Sequence, residues 1–171
     1  MPVEIIPASA KDAPVLANLL ELYAHDFSEL IDVPLGADGR FGYPALPRYW
    51  VEPDRHAFLI HDDGLAGFVM VKRGSEISGD PTVWDVAEMF VVRGRRRRGT
   101  GTEAVHQVWR RVPGRWEVRV MEANRDALPF WLRTTAAFCG GRVSSTVVEK
   151  KGRRWTVLSF EASDCEPEPA Q

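Results

Sequence analysis

The chain has 171 residues, of which 44% are hydrophobic, 10% aromatic and 27% charged, a composition that supplies one domain core and excludes collagen-like, disordered and coiled-coil classes. Twenty-two Lys and Arg against 24 Asp and Glu leave a formal charge of -2, so the molecule as a whole is not built to coat nucleic acid or anionic lipid and any basic function must be local. No apolar run approaches the roughly 20 residues of a membrane span, and Cys139 and Cys165 are too few for a disulfide framework or a cysteine metal cluster.

The first residues lack the basic and then apolar pattern of a secretory leader, so a cytoplasmic protein is expected. Residues 3–6 are short and β-branched and read as a strand. Ser9 with Asp12 three residues later marks a helix start, and Leu16, Leu19, Leu20 and Tyr23 recur at helical spacing from Ala13 onward. Residues 32–53, rich in Gly and Pro and holding Phe41, Tyr43, Tyr49 and Trp50, predict a long ordered loop with one short helix. Residues 57–61, Asp62-Asp63-Gly64 and residues 65–73 form a strand, turn and strand. A further strand over 82–92 alternates Val86 and Phe90 with Ala87 and Met89, as in a sheet covered on both faces. A helix over 100–111 stops at Pro113-Gly114, 116–121 is strand-like, 126–135 helical, and 142–149 with 154–161 close an antiparallel pair. One α/β domain over 1–162 is predicted, followed by a solvated Pro/Glu tail over 163–171.

Chemistry concentrates where the strand ending at Val92 meets the helix at Thr100. Gly99 and Gly101 let backbone N–H groups face a ligand, the following helix offers its positive end, and five arginines within Arg93–Arg98 add a local field. Gly94 to Thr102 is spaced like a Walker A loop, but Thr100 and Gly101 stand where that motif needs Lys and a hydroxyl, which argues against a nucleotide hydrolase. The dinucleotide fingerprint fails at its third glycine.

Arg96-Arg97-Arg98-Gly99-Thr100-Gly101 resembles the pyrophosphate loop of the GNAT superfamily of acyl-CoA-dependent N-acetyltransferases, Gln/Arg-x-x-Gly-x-Gly/Ala. Asn124, Ala127 and Phe130 repeat that family's Asn-x-x-Ala-x-x-Phe pattern, and the resemblance spans about residues 3–161. It implies a mixed, mostly antiparallel sheet splayed between strands 4 and 5 and flanked by helices, with acetyl-CoA in the gap. The backbone of Met89, Phe90 and Val91 would meet the acetyl and pantetheine groups. The amides from Arg97 through Gly99 and Thr100 to Thr102 would surround the pyrophosphate together with Arg96 and Arg98, and Asn124 and Phe130 would hold the pantetheine arm. The chemistry would be direct attack of a primary amine on the thioester. Where the family carries a Tyr acid after Phe130, this chain has Trp131, whose indole N–H donates a hydrogen bond without releasing a proton. The family's Gly-Phe ending is replaced by Phe138-Cys139-Gly140-Gly141.

Other readings stay open beside it. A CoA-binding module without transfer activity would account for Trp131, and a small nucleic-acid-binding protein would use the Arg run, although no nucleic-acid or membrane partner is expected. Glu88 is the candidate base, or else a surface carboxylate paired with an arginine; Asp85 lies on the opposite pleat phase and Glu122 too close to the strand end. His25, His56 and His61 sit at element boundaries, His106 reads as structural, and no metal spacing emerges. Tyr23, Asp26, Phe27, Tyr43 and Tyr49 are candidates to line a pocket for a small-molecule or peptide amine. A homodimer is compatible with the sequence without being specified by it.

Overall fold

The computed structural model describes residues 2–162; the expected tail over 163–171 lies outside them. In chain order come β1 (Glu4–Pro7), α1 (Ala13–Phe27), β2 (Arg55–His61), β3 (Leu65–Arg73), β4 (Trp84–Val91), α2 (Thr100–Arg111), β5 (Arg115–Met121), α3 (Ala127–Cys139), β6 (Ser144–Lys150) and β7 (Arg153–Glu161). The strands form one sheet in the order β1-β2-β3-β4-β5-β7-β6. β4 runs parallel to β5, while the pairs β1–β2, β5–β7 and β6–β7 are antiparallel, which gives the expected mixed α/β class. The parallel ladder is registered at two positions, Trp84 with Trp116 and Asp85 with Glu117.

The chain folds as two compact units, one holding the residues up to Val71 and Ala87–Ala104, the other Lys72–Val86 and the residues from Val105 onward. In the first, the predicted stripe of α1 is the organising element. Leu16, Leu19 and Leu20 pack with Ala57 and Leu59 of β2, Phe68 and Met70 of β3 and Phe90 of β4, and the 3-10 turn Leu46–Trp50 adds Leu46 and Tyr49. Each such large side chain taken from water is worth about 1.5–3 kcal/mol. The Ser9 start signal acts one step earlier than expected: the Ser9 N–H donates to Asp12 at 2.8 Å and caps a 3-10 turn, Ala10–Asp12, that leads into α1. The Asp-Gly turn is as predicted, with Asp63 at φ 52° and Gly64 at φ 108°. The long loop is ordered because Glu21 of α1 accepts the backbone N–H groups of Phe41 and Gly42, both at 2.8 Å.

In the second unit Trp109 of α2 is fully buried, its ring 4.7 Å from Phe160, 5.1 Å from Phe138 and 6.4 Å from Trp116. His106 joins this cluster and its Nε2 lies 2.9 Å from the Thr134 carbonyl, the structural role read from sequence. α3 runs to Cys139, past the expected end at Thr135, and stops where Gly140 turns left-handed at φ 57°. β4 begins at Trp84 instead of Thr82, whose N–H is taken by Asp80 at 2.8 Å. Both its faces are covered, as expected: Val86 and Phe90 on one and Asp85 and Ala87 on the other are buried, and Met89 and Val91 are half-buried. No helix among the described residues is long and apolar enough to cross a membrane, and no His/Cys/Asp/Glu group among them could hold a metal ion.

Candidate functional site

Glu88 lies half-buried near the end of β4, in the first unit. Tyr23 stands three residues after Leu20 on the inward side of α1, and its hydroxyl donates to Glu88 Oε2. Tyr43, brought in by the loop segment that Glu21 holds, donates to Oε1 at 3.1 Å. The carboxylate is therefore neither a solvated surface group nor a group held by arginine alone. Two phenols from segments 65 and 45 residues away fix its orientation.

Tyr49 completes the corner. It is buried, and its hydroxyl has no hydrogen-bond partner among the described residues. Burial, then the neighbouring Glu88 charge, push the Tyr43 phenol far above its ordinary range. Burial pushes Tyr49 up to about 12 against the opposing pull of Arg55, whose guanidinium carbon lies 5.3 Å from the Tyr49 ring centroid. Both phenols stay protonated at neutral pH.

The Arg/Gly segment that follows is shaped from within the same unit. Asp26 of α1 accepts Arg93 at 2.7 Å and Arg96 at 2.6 Å, while Arg96 Nε also donates to the Val91 carbonyl at 2.6 Å. Burial raises the Asp26 carboxyl, but the two guanidinium bonds outweigh it and hold the group below its usual range. Arg95 donates to the Asp63 carbonyl at 2.9 Å. Three of the five arginines are thus spent on shaping the loop, and Arg97 and Arg98 remain exposed.

Arg97 at φ 61° and Gly99 at φ 84° turn the backbone left-handed on either side of Arg98. Alternation of this kind folds amide groups into an anion-receiving concavity, and the opening turn of α2 follows at once. Thr100 is 2% exposed, and its hydroxyl donates to Asp62 Oδ2 at 2.6 Å. Its side chain is committed to that bond, which ties the start of α2 to the β2–β3 turn. The same bond holds the Asp62 carboxyl below its ordinary value. Sequence reasoning missed Asp62 because the Asp-Gly turn already accounted for it. It also missed Gly67 of β3, where a Cβ would fall 1.9 Å from the Phe90 carbonyl oxygen. Nearby, Leu22, His25, Asp26, Phe90, Val92 and Arg93 line a pocket of about 290 Å³. Phe90 turns its ring into the core, so its backbone alone is available to a ligand, as for Met89 and Val91 in the expected contact.

In the second unit Asn124 forms the turn before α3, its N–H donating to the Met121 carbonyl at 2.9 Å and its own carbonyl accepting from Ala127 at 3.2 Å. Phe130 and Trp131 are half-buried with ring centroids 4.9 Å apart, and Trp131 packs against Trp109 at 6.5 Å. The contacts of Trp131 are those of a packing residue. Asp85 is fully buried with Arg119 Nε 3.1 Å from its Oδ2 and, among the described residues, no partner on Oδ1.

The family model described as Acetyltransferase (GNAT) family matches residues 16–135. No curated protein matches the chain. Among solved structures, an acetyltransferase from Thermus thermophilus aligns with TM-score 0.68 and 19% identity, over 94% of this chain and 97% of that one. Arabidopsis thaliana NAA60 in complex with a bisubstrate analogue aligns with TM-score 0.61 and 18% identity, over 94% and 98%. Spermidine N-acetyltransferase from Vibrio cholerae in complex with CoA and spermine aligns with TM-score 0.64 and 10% identity, over 95% and 96%. At these identities the likeness is one of fold.

Proposed function

Because the chain belongs to the GNAT family of acetyltransferases, we propose that residues 1–162 act as one catalytic domain that moves the acetyl group of acetyl-CoA to a primary amine. The observation that carries this reading is the pairing, within one compact unit, of a carboxylate oriented by Tyr23 and Tyr43 with a loop whose backbone turns amides outward just before α2. The loop amides from Arg97 to Thr102 would receive the pyrophosphate, with Arg97 and Arg98 supplying charge. Met89 to Val91 would offer backbone to the acetyl-pantetheine arm.

Acetyl-CoA brings an activated thioester. Glu88 takes a proton from the ammonium form of the acceptor, the freed amine nitrogen bonds to the acetyl carbon, the carbon–sulfur bond breaks so that CoA leaves as its thiolate, and the nitrogen's second proton passes to that thiolate through solvent, leaving a neutral amide. With Trp131 in packing contact, the thiolate departs without a tyrosine acid at that position. The acceptor is a small-molecule or peptide amine; the Vibrio cholerae relative is a spermidine N-acetyltransferase and supports the small-amine side of that class. A cytoplasmic location, where acetyl-CoA is made, belongs to the same proposal. The commitment of Arg93, Arg95 and Arg96 to Asp26 and Asp63 weighs against a nucleic-acid role.

Glu88→Gln tests the reading. CoA affinity should be kept while kcat falls on the order of a hundredfold at neutral pH. An unchanged kcat and pH profile would remove Glu88 from the mechanism, and CoA binding without turnover across an amine panel would favour the module without transfer chemistry.

A further inference from the structure

Two buried carboxylate oxygens on neighbouring strands of the second unit lack a hydrogen-bond donor among the described residues: Oδ1 of Asp85 on β4 and Oε2 of Glu117 on β5. Asp85 is fully buried and Glu117 is 6% exposed. The two residues are partners in the parallel ladder, so their side chains leave strands about 4.8 Å apart on the same face of the sheet. Two ionised carboxylates so placed repel each other, and neither has a hydrogen to give to the other's bare oxygen. The charges around them leave the conflict standing. Arg119, two residues past Glu117 on the same face of β5, donates its Nε to Asp85 Oδ2 at 3.1 Å and leaves Oδ1 unmet. Lys72, near the end of β3, gives its ammonium to Glu76 at 2.8 Å. From β7 the same face receives Ser159 opposite Glu117, Val157 opposite Arg119, and Trp155, whose ring centroid lies 5.8 Å from the Arg119 guanidinium carbon; none of the three carries a charge.

We propose that Asp85 and Glu117 hold one proton between them, bonded to Asp85 Oδ1 and donated to Glu117 Oε2, so that the pair carries a single negative charge and clasps the β4–β5 ladder. One proton satisfies both bare oxygens at once, and a carboxylic acid donating to a carboxylate is a strong, charge-assisted hydrogen bond. Burial raises the Asp85 carboxyl against the pull of Arg119 and Lys72, and the Glu117 charge raises it further, which puts the proton on the Asp85 side. The ladder is registered at two positions, and the other, Trp84 with Trp116, is held by stacked rings with centroids 6.1 Å apart. When pH rises past the value of the pair, the proton goes to solvent, two like charges face each other across the strands, and the clasp opens. Its contribution to stability is therefore complete below the ordinary Asp value of 3.8 and is lost as pH climbs through the raised one. This device lies on the strand that also carries Glu88, and it stands independently of the role given to that residue.

Infrared spectroscopy of the full chain tests the sharing. At about pH 6, well above the ordinary values of Asp and Glu, the protein should show the carbonyl stretch of a carboxylic acid, apart from the bands of its carboxylates. Asp85→Asn and Glu117→Gln should each abolish that band, because the amide N–H takes the place of the shared hydrogen and the remaining partner ionises. An Asp85 protonated on its own would lose the band in Asp85→Asn but keep it in Glu117→Gln. That outcome overturns the proposal, as does a band that survives both substitutions or a spectrum without one. Thermal melting reads the clasp separately. The two amide variants should melt close to the unsubstituted protein, whereas Asp85→Ala and Glu117→Ala, which have no donor to offer, should melt several degrees lower or fail to fold. Alanine variants as stable as the amide variants would show that the pair clasps nothing.

Discussion

Gly67→Ala is the sharpest test of how β3 and β4 fit. An ideal Cβ at Gly67 would lie 1.9 Å from the Phe90 oxygen, 2.9 Å from its carbonyl carbon and 3.0 Å from Val91 Cα. All three are backbone atoms, so no rotamer change relieves the overlap. Carbon and oxygen rest at about 3.5 Å, so the Phe90 carbonyl must retreat by more than about 1 Å. Hydrogen bonds in this crossing are short, as with the Val92 N–H on the Ala66 carbonyl at 2.8 Å, and such a retreat carries about two of them out of range. Two lost bonds at about 1 kcal/mol each, with about 1–3 kcal/mol of overpacking strain, give a destabilisation of about 3–5 kcal/mol. That is a large share of the roughly 5–15 kcal/mol a domain commands. Urea unfolding at constant m-value reads the loss. Calorimetric titration of the variant that still folds should show CoA bound at least about tenfold more weakly, because the displaced carbonyl belongs to the stretch proposed to meet the pantetheine arm. A loss under about 1 kcal/mol with unchanged CoA affinity would refute both the close approach and its role.

Gly101→Val should remove most CoA affinity at any salt, whereas Arg95→Ala, whose guanidinium is spent on the Asp63 carbonyl, should cost about 1 kcal/mol or less and less still at high salt; calorimetry at two salt concentrations gives the ranking, and full affinity in Gly101→Val would sink the pyrophosphate-loop assignment. Burial raises the Asp85 carboxyl against the opposing Arg119, so the folded state holds its proton more tightly than the unfolded one and stability should decline as pH rises upward from the ordinary value of 3.8. Asp85→Asn should flatten that part of the curve of unfolding free energy against pH, and parallel curves for the two proteins would contradict it.

What the sequence determined by itself is what local physics controls. The α1 stripe, the Asp-Gly turn, the β-branched runs and the Arg/Gly loop before a helix are written in spacings of two to four residues, and they give the element order and the anion-binding segment. The family resemblance rested on such local patterns too, in the loop and in the run from Asn124 to Phe130. Element ends were less legible because they depend on single contacts, as at Thr82, held in a turn by Asp80. The tertiary structure decided which side chains meet. Glu88 takes its hydroxyls from 65 and 45 residues away, Thr100 finds Asp62 across 38, and Arg96 finds Asp26 across 70. It also decided that most of the arginine run is spent inward, that Trp131 packs on Trp109, and that Gly67 is needed for the space it leaves at Phe90. No spacing rule encodes such pairings. They follow from burying one helix stripe and one loop against a sheet, which brings distant polar groups into a low-dielectric corner where an unmade hydrogen bond is costly.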